Sequence, residues 1–403
     1  MAVDWTQLPR ELLESIAGKL TIYADYLRFR AVCPSWRSSV LNIPRNLPPQ
    51  LPWLMLPQVQ TNPFHCAFFD LSTRKLHNLD VLEVTSQGTH CCGSSHGWLI
   101  VLDESPAVLL LNPLTRARLH LPPLSTFPNV VSFNYSEAGS EYALRDVSGE
   151  IYRLSLREMR DSFIKKVVLS SAPLKNKNFI ALAILHRFNI LVYCKSGDQS
   201  WSFVHVARFP WEDVIYYNDL FYTVDKNGAI AVCDLNGASP TVSVIRPPLQ
   251  LGGGLQYLVN SGDDELLLVT RYVVHVDLQR DDTDPYVSCV FYCYKTVRFE
   301  VFRMNWSEPR WERVTSLGDR MLFIGENTSI SFLAYDFRGC LGNCIYFTDD
   351  CEFYDGIYDC FIGDHDLGIF KLWDGSIEPL PFYQRNPHSR SYWAPIWVTP
   401  NPC

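Results

Sequence analysis

The first forty residues carry apolar side chains at a helical spacing. In the stretch "LPRELLESIAGKL" (8–20) these side chains recur every three or four residues, as on one face of an amphipathic helix. A second apolar stretch, "YLRFRAVC", stops at Pro34, and a third, "WRSSVL", follows it. Asp25 and Ser35 are the expected caps of these two helices, because a side-chain oxygen can accept the free N–H groups of a first turn. Residues 1–43 are therefore predicted to form three short helices.

The segment that follows, residues 44–63, cannot continue a helix or a central strand. It contains six prolines, each of which lacks a backbone donor and restricts the residue before it. We expect an extended connector in which "WLML" (53–56) is pinned onto a neighbouring domain.

From residue 64 to residue 403 the pattern changes to short runs in which apolar and polar residues alternate. Examples are "GWLIVLDE" (97–104) and "GEIYRLSL" (149–156), each of which leaves a turn glycine. Alternation of this kind places one face of a strand in a core and the other face outward. Almost no helix is predicted in this part of the chain.

These strand features recur at intervals of roughly 40 to 50 residues, and a Trp-x-x-Val form occurs at Trp201 and again at Trp311. Such a period, with several strands in each, is typical of a β-propeller, whose blades stack because one blade cannot bury both of its faces. At roughly 45 residues per blade the region holds six or seven blades. We therefore predict a small all-α unit followed by an all-β, Kelch-like propeller. One or two β-sandwiches are the alternative.

Composition narrows the possible functions. The chain of 403 residues is 47% hydrophobic, 13% aromatic and 19% charged, which suits a large packed core rather than a disordered chain. Its net charge of −8 disfavours a general nucleic-acid binder, because such a protein needs a basic face to neutralise phosphates. The N-terminal residues lack the apolar segment of a signal peptide, and no apolar run is long enough to span a membrane. The thirteen cysteines are accordingly expected to be reduced thiols in the cytoplasm or the nucleus.

The helical segment also shows a specific order of residues. It begins with Leu-Pro, continues with Glu-Leu-Leu, an isoleucine and a leucine, and ends with an apolar-rich helix and Val-Cys-x-x-Trp-Arg. This order resembles an F-box over nearly forty residues. The resemblance implies docking onto the Skp-type adaptor of a cullin-RING ubiquitin ligase. The implied adaptor-binding residues are Leu8, Pro9, Leu12, Leu13, Ile16, Leu20, Val32 and Trp36.

The resemblance assigns these eight residues different parts. Leu8 and Pro9 begin the docking edge, Val32 and Trp36 join the shared helical core, and the other four supply apolar anchors. The sequence departs from the commoner pattern at residues 17–18, where Gly18 costs up to about 1 kcal/mol in a helix. The alternative is that all eight residues are internal packing of a small helical cap.

A second resemblance lies near the C-terminal end. The segment from "DRMLFIG" to "GNCIYFTDD" (319–350) is similar to the hallmark segment of a plant family of F-box proteins with a KIB-type β-propeller, also called SKIP-type. The similarity extends over most of residues 64–375. In that family an N-terminal F-box precedes a propeller that recruits a substrate, which implies a role in protein ubiquitination and proteasomal degradation.

The cysteine spacing does not indicate a metal site. Cys289 and Cys293 are four residues apart, as are Cys340 and Cys344. Four residues correspond to about 13 Å along a strand, which is too far for two thiols to share one zinc ion. We expect no metal and no cofactor.

The other candidate motifs are incomplete or ordinary. "GDHDLG" (363–368) lacks a third catalytic element, and "LGGGLQ" (251–256) lacks the Lys-Ser/Thr pair of a phosphate loop. A basic cluster between Arg157 and Lys177 is interpreted as a solvated face, with an acidic partner as the alternative. No catalytic residue is predicted.

The sequence therefore predicts a non-catalytic substrate-recognition subunit of an SCF-type E3 ubiquitin ligase. Its F-box binds the Skp-type adaptor, and through it the cullin and the RING protein, while the propeller binds a target protein; no nucleic acid or membrane is involved. Two alternatives stay open: a propeller enzyme, and a scaffold whose helical segment caps its own core. Loops on one propeller face are expected to bind the target. The candidates are residues 195–201, 251–257, 279–286 and 383–393.

Overall fold

A computed structural model describes most of the chain. The described residues are 4–41, 44, 48, 50–56, 65–85, 88–146, 148–186, 190–204, 211–248, 254–262, 265–277, 292–337, 339–350, 366–381 and 394–402. Among them, no helix has both the length and the apolar character needed to cross a membrane.

Three short helices form the N-terminal unit, after a 3-10 turn at Trp5–Gln7. They are α1 (Arg10–Ala17), α2 (Tyr23–Ala31) and α3 (Pro34–Ser39). The predicted cap residues are wrong. Asp25 lies inside the first turn of α2. Ser35 lies within α3, which begins one residue earlier at Pro34, because a proline at the first helical position already has a suitable φ and needs no N–H partner.

The first backbone N–H group of α2, that of Tyr23, donates a hydrogen bond to a residue outside the helical unit. The side chain of Gln50 accepts a hydrogen bond from the Tyr23 N–H at 3.1 Å. This bond satisfies one of the donors that the first turn of a helix leaves free. The residue that caps α2 therefore comes from the connector and not from the residues beside the helix.

The three helices enclose a small apolar core. Its buried residues are Leu13, Ala17, Tyr23, Tyr26 and Phe29. Leu114, a residue of the β domain, packs against this core and also against a core of the β domain. The two parts of the protein are therefore joined by shared apolar packing as well as by the chain.

The rest of the described chain forms seven sheets. Blade one contains β1 (Trp53–Leu56), β2 (His65–Asp70) and β3 (Lys75–Asp80). Blade two contains β4 (Thr89–Ser95), β5 (Trp98–Asp103), β6 (Val108–Leu111) and β7 (Arg118–Leu121). An additional sheet contains β8 (Val130–Phe133), β9 (Tyr142–Arg145) and β10 (Ile151–Leu154).

The remaining blades follow in chain order. Blade three contains β11 (Ile164–Leu169), β12 (Ile180–Leu185), β13 (Ile190–Lys195) and β14 (Ser202–Phe203). Blade four contains β15 (Trp211–Tyr217), β16 (Leu220–Asp225), β17 (Ile230–Asp234) and β18 (Thr241–Ile245). Blade five contains β19 (Leu255–Asn260), β20 (Leu266–Asp277), β21 (Tyr292–Asn305) and β22 (Arg310–Val314).

Blade six has five strands and an unusual order. It contains β23 (Arg320–Ile324), β24 (Ile330–Leu333), β25 (Cys344–Phe347), β26 (Gly368–Lys371) and β27 (Ile377–Glu378). The spatial order is β24-β23-β25-β26-β27, and β23 runs parallel to β25. The last strand of the chain, β28 (Ile396–Val398), returns to blade one.

Six of these sheets form a closed ring. An apolar cluster lies between each pair of successive blades, including blades six and one. The first strands of blades two and three contact each other directly, and Leu169 N donates to Ser95 Oγ at 3.1 Å. The sheet β8–β10 is therefore an insertion beside the ring. The predicted β-propeller is confirmed, and the described residues build six blades.

The ring closes by pairing of the two ends of the β domain. β28 is antiparallel to β1, with Trp53 opposite Val398 and Met55 opposite Ile396. The stretch 53–56, which the sequence placed in the connector, is thus a strand of blade one, and the predicted start of the propeller at residue 64 is too late. These four residues lie between prolines, but none of them is a proline. Their backbone N–H groups can therefore pair in a sheet.

Almost no helix was predicted in the β domain, but its described part contains two short α-helices. They are α4 (Leu82–Thr85) and α5 (Leu156–Ser162). The Ser155 hydroxyl accepts a bond from the Glu158 N–H, and the Glu158 carboxylate accepts one from the Ser155 N–H. This reciprocal arrangement is a capping box, so "SLRE" did contain a local signal for α5.

Part of the basic cluster after Arg157 is buried, which corrects its interpretation as a solvated face. Arg160 donates to Glu104 at 2.7 Å. Lys166 on β11 lies 2.5 Å from Asp213 on β15. These cations are paired inside the domain because carboxylates from neighbouring sheets reach them, and such partners cannot be located from local sequence.

The two Trp-x-x-Val repeats hold neighbouring sheets together. Trp201, just before β14, donates Nε1 to the Pro122 carbonyl at 2.8 Å. Trp311 on β22 donates to the Gly228 carbonyl at 2.8 Å. Each tryptophan thus ties an outer strand to the preceding blade, which explains why the form repeats.

The seam between blades six and one should depend strongly on Trp397. Its side chain is fully buried, and its ring centroid lies 5.1 Å from that of Phe323 in an edge-on contact. We expect Trp397→Ala to lower the free energy of unfolding by about 3–5 kcal/mol, measured by urea denaturation. Trp373, which is 51% exposed, is the matched control, and Trp373→Ala should change it by less than about 0.5 kcal/mol. Equal losses in both variants would contradict the seam.

Candidate functional site

Four of the eight predicted adaptor-binding residues are exposed. The exposed fraction is 51% for Leu12, 42% for Ile16 and 57% for Val32, and Pro9 is exposed as well. Leu12 and Ile16 are four residues apart in α1 and therefore lie on the same side of that helix. Val32 was expected in the shared helical core, but α2 ends one residue before it and its side chain stays outside. We call these four residues the exposed F-box face.

The other four residues are held by the helical unit itself. Leu13 is fully buried in the core of the helical unit and is not accessible at its surface. Leu8, Leu20 and Trp36 are half-buried and pack against the same core. Trp36 donates Nε1 to the Trp5 carbonyl at 3.0 Å and so fixes the 3-10 turn before α1.

The helical unit is attached to the propeller on another side. Besides capping α2, Gln50 donates from Nε2 to the Thr21 carbonyl at 2.8 Å. Leu114 reaches the helical core from the turn between β6 and β7. Asn112 orders this turn, because its Oδ1 accepts the Leu114 N–H at 3.1 Å. This attachment leaves the exposed F-box face open within the described part of the chain.

Exposed apolar side chains are concentrated in the helical unit. Eighteen large apolar residues are exposed in the described chain, and five of them lie within residues 4–41: Trp5, Leu12, Ile16, Val32 and Leu41. Contiguous exposed apolar surface marks interaction sites, whereas single exposed residues are ordinary. Leu12 and Ile16, four residues apart on α1, are neighbours and form an exposed apolar surface of this contiguous kind.

A second group of functional interest lies where the first strands of the blades approach the propeller axis. Asp213, which pairs with Lys166, also accepts the Leu258 N–H of β19 at 2.8 Å. The loop after β23 reaches blade two, where Thr328 N donates to the Ser94 carbonyl at 2.8 Å. These contacts connect blades three, four and five on one side and blades six and two on the other.

Glu326 lies in the loop after β23, and the pKa of its carboxyl group is strongly shifted. Its Oε2 atom is buried and has no hydrogen-bond partner among the described residues. Burial, together with the nearby Asp350 and Asp349 carboxylates, raises the pKa of Glu326 to about 8, although Lys166 acts in the opposite direction. The carboxyl group is therefore mostly protonated at neutral pH.

Arg271 forms an ionic cluster between blades five and six. Its side chain is fully buried, lies 2.9 Å from both Asp350 and Asp366, and donates to Thr296 Oγ1 at 2.7 Å. The guanidinium also lies 4.9 Å from the centre of the Phe347 ring. Sequence reasoning missed this cluster. The available signal was a single arginine inside the apolar run "ELLLVTRYVVHV", where an unpaired charge would be costly.

The loops predicted to bind a target are placed only in part. Trp201, in the loop 195–201, is buried, and Tyr257, at the end of 251–257, is buried and donates its hydroxyl to Asp350. Neither aromatic residue is free for recognition, which corrects that expectation. The other candidates lie outside the described residues: 251–253, 279–286 and 383–393.

The described thiols are not arranged as a metal site. Cys344 is buried in β25, and burial raises the pKa of its thiol to about 11, while Cys340 is half-buried. In the part of the chain that the structure describes, no group of three or more His, Cys, Asp or Glu residues is placed to hold a metal ion. Cys289 lies outside that part, as do residues 363–365 of "GDHDLG".

Comparison with known proteins agrees with this architecture. An F-box domain model matches residues 5–47, and a model described as the KIB1-4 beta-propeller matches residues 68–371. The fold and these matches define an F-box protein with a propeller domain, which supports the general role of an SCF substrate receptor. The chain belongs to the KIB1-4 β-propeller family.

Two relatives from Arabidopsis thaliana are similar over nearly the whole chain. F-box protein SKIP23 is 29% identical, with 98% of this chain and 96% of the relative covered. F-box protein At2g17036 is 25% identical, with 98% of this chain and 95% of the relative covered. Both alignments thus span the helical unit and the propeller of this chain.

Glu326 should make the stability of the propeller depend on pH. In the unfolded chain its pKa is near 4.5, so between about pH 4.5 and pH 8 the unfolded state releases a proton that the folded state keeps. Its contribution to stability is therefore lost as the pH rises to about 8. We expect Glu326→Gln to lose less stability than the wild type between pH 6 and pH 8.5, measured by urea unfolding. Parallel pH profiles would show that Glu326 ionises normally.

Proposed function

We propose that the chain is the substrate-recognition subunit of an SCF-type E3 ubiquitin ligase. The exposed F-box face binds a Skp-type adaptor, and the adaptor links the chain to the cullin and the RING protein. The propeller binds the target protein. The observation that carries this proposal is that Leu12 and Ile16 stay exposed on α1 while the helical unit packs on Leu114 of the propeller.

The three sides of α1 support this assignment over a simple helical cap. At 100° per residue, Leu13 points into the core, Arg10 and Glu14 lie on one flank, and Leu12 and Ile16 lie on the other. The first flank carries a solvent-exposed ion pair at 2.8 Å, as an ordinary surface does. The second flank is apolar. A helix that only capped the propeller would need no apolar side chains on a flank that touches neither core.

The propeller supports recruitment rather than catalysis. Arg271 pairs with both Asp350 and Asp366 inside the seam between two blades, which suits a structural role. We propose that the protein works in the cytoplasm or the nucleus, where thiols stay reduced. Six of the eight described free cysteines are buried, and this is compatible with such a compartment.

The adaptor interface should be sensitive to truncation of α1. Fully burying a leucine or isoleucine contributes about 1.5–3 kcal/mol, and each 1.4 kcal/mol corresponds to about tenfold in affinity. We expect Leu12→Ala combined with Ile16→Ala to weaken binding of a purified Skp-type adaptor at least about tenfold, measured by calorimetry. The circular dichroism spectrum should stay unchanged, because neither side chain belongs to the F-box core.

The chain offers a matched control for this experiment. Leu76 is 55% exposed on β3, so Leu76→Ala removes a comparable exposed side chain outside the helical unit. Its adaptor affinity should equal that of the wild type. If the Leu12 and Ile16 double variant also binds like the wild type, the exposed F-box face is not the adaptor site.

A further inference from the structure

Besides Ile377 on β27, blade six exposes three large apolar side chains that no function described so far uses. They are Tyr335, Leu341 and Trp373, with exposed fractions of 73%, 50% and 51%. We call them the blade-six strip. Trp373 lies in the turn between β26 and β27, which corresponds to the β6–β7 turn of blade two that contacts the F-box. The strip therefore lies on the side of the propeller that carries the helical unit.

The inner half of the strip is held together by Asp319. Its carboxylate accepts the Tyr335 N–H at 2.8 Å, and its carbonyl accepts the Ala334 N–H at 2.8 Å. The backbone of Gly342, the residue after Leu341, packs directly against Asp319, because a Cβ there would lie 2.7 Å from the Asp319 Cα. Tyr335 and Leu341 therefore project from neighbouring backbone segments.

The outer half of the strip is joined in the same way. Leu372, the residue before Trp373, donates its N–H to the Asn343 carbonyl at 3.0 Å. The Asn343 N–H in turn donates to the Arg320 carbonyl at 2.7 Å. All three apolar residues thus lie at one end of the same blade, each within a few residues of a shared backbone contact.

The spacing of the strip suits an extended peptide. Tyr335 follows the innermost strand β24, Leu341 precedes β25, and Trp373 follows β26. In the order β24-β23-β25-β26 the outer two positions are three strand spacings apart, or about 14 Å. An extended peptide covers that length with about four or five residues and places alternate side chains on one surface.

The surroundings of the strip are acidic among the described residues. Asp319, Asp336 and Asp374 are all exposed. A hydrogen bond from Ser376 lowers the pKa of Asp374, so this carboxylate is ionised at neutral pH. The flanking carboxylates therefore favour a ligand that carries positive charge.

Among the described residues, three cations lie near the strip: Lys371, Arg320 and Arg74. The Lys371 ammonium is paired with Glu378 and lies 5.5 Å from the centre of the Trp373 ring. The Arg320 guanidinium lies 3.5 Å from the Cβ position of Gly262, on the blade-five side. Arg74 lies close enough to Cys340, the residue before Leu341, to lower the pKa of its thiol, while Asp70 and burial raise that pKa. Because Lys371 is paired, the three exposed carboxylates outnumber the other described cations near the strip.

We propose that the blade-six strip binds an extended, basic peptide segment of the target protein. Apolar side chains of the peptide pack on Tyr335, Leu341 and Trp373, and its lysine or arginine residues pair with the flanking carboxylates. Tryptophan and tyrosine are among the residues that dominate binding energy at protein interfaces. This inference rests on the proposed function, because it names the chemistry that the receptor recognises in its target.

The test is a peptide selection on the full chain. Phage-displayed random peptides about twelve residues long are selected on the immobilised protein, and the enriched sequences are synthesised. We expect peptides with net positive charge and at least two apolar residues. Tyr335→Ala combined with Trp373→Ala should weaken their binding at least tenfold in fluorescence polarisation. Tyr135, a 60% exposed aromatic residue on the inserted sheet, provides the control, and Tyr135→Ala should change affinity less than twofold.

A second variant tests the role of charge. Asp336→Lys combined with Asp374→Lys should also weaken binding and should reduce its dependence on salt, because exposed charges are screened by salt. The proposal is overturned if no peptide is enriched, if the enriched peptides are acidic or uncharged, or if they bind the Tyr335 and Trp373 double variant as they bind the wild type.

Adaptor affinity separates this inference from the proposed function. Both strip variants should bind the Skp-type adaptor like the wild type. If they lose adaptor binding instead, the strip is an adaptor contact and the inference is wrong while the adaptor role stands. If the Leu12 and Ile16 variant keeps full adaptor binding, the adaptor role fails, and the peptide results still report on the strip.

Discussion

The pairing of β28 with β1 is the constraint on which the other features depend. The two strands come from opposite ends of the β domain, and their ladder closes the sixth blade onto the first. The residues after β28 carry this closure to the helical unit, because the Asn401 carbonyl accepts a hydrogen bond from Asn112 Nδ2 at 2.8 Å. Asn112 in turn orders the turn that presents Leu114 to the helical core. The orientation of the F-box is therefore set by the closed ring and not by the connector alone.

Closure of the ring also buries polar groups near the propeller axis and between neighbouring blades. A buried ion pair adds little stability compared with apolar packing, but removing one of its partners is costly. Two such pairs are Lys166 with Asp213 and Arg271 with Asp350. Their main effect is thus to restrict which blades can be neighbours, and their contribution to the stability of the ring is smaller. Glu326 differs from them, because burial and the nearby carboxylates together outweigh the effect of the single lysine and disfavour its charged form. The loop after β23 is therefore the place where the ring is sensitive to protonation.

The sequence was informative wherever structure depends on local spacing. Helical periodicity in residues 8–20 and alternation after residue 64 predicted both domains, because each pattern reflects burial within one element. Leu12 and Leu13 could not be told apart in this way, since both are apolar and only the position of α2 decides which one is buried. Arg271 was missed because its partner Asp350 is 79 residues away in the chain. The strand at 53–56 was missed because the prolines around it indicate a connector, although the four residues themselves can pair in a sheet.

The attachment of the helical unit to the propeller relates the two proposed surfaces to each other. Leu12 and Ile16 of the exposed F-box face lie on a flank of α1. The blade-six strip lies on the side of the propeller that carries the helical unit, but on another blade than the turn that contacts this unit. An adaptor and a target held at these two places are separated by a ring whose blades cannot slide past one another, and by helices that Gln50 and Leu114 fasten to that ring. Transfer of ubiquitin to a target requires a suitable distance and angle as well as two affinities. If both proposals hold, the turn that bears Leu114 is a third determinant of function, because a change there would alter the relative orientation while both binding surfaces stay intact.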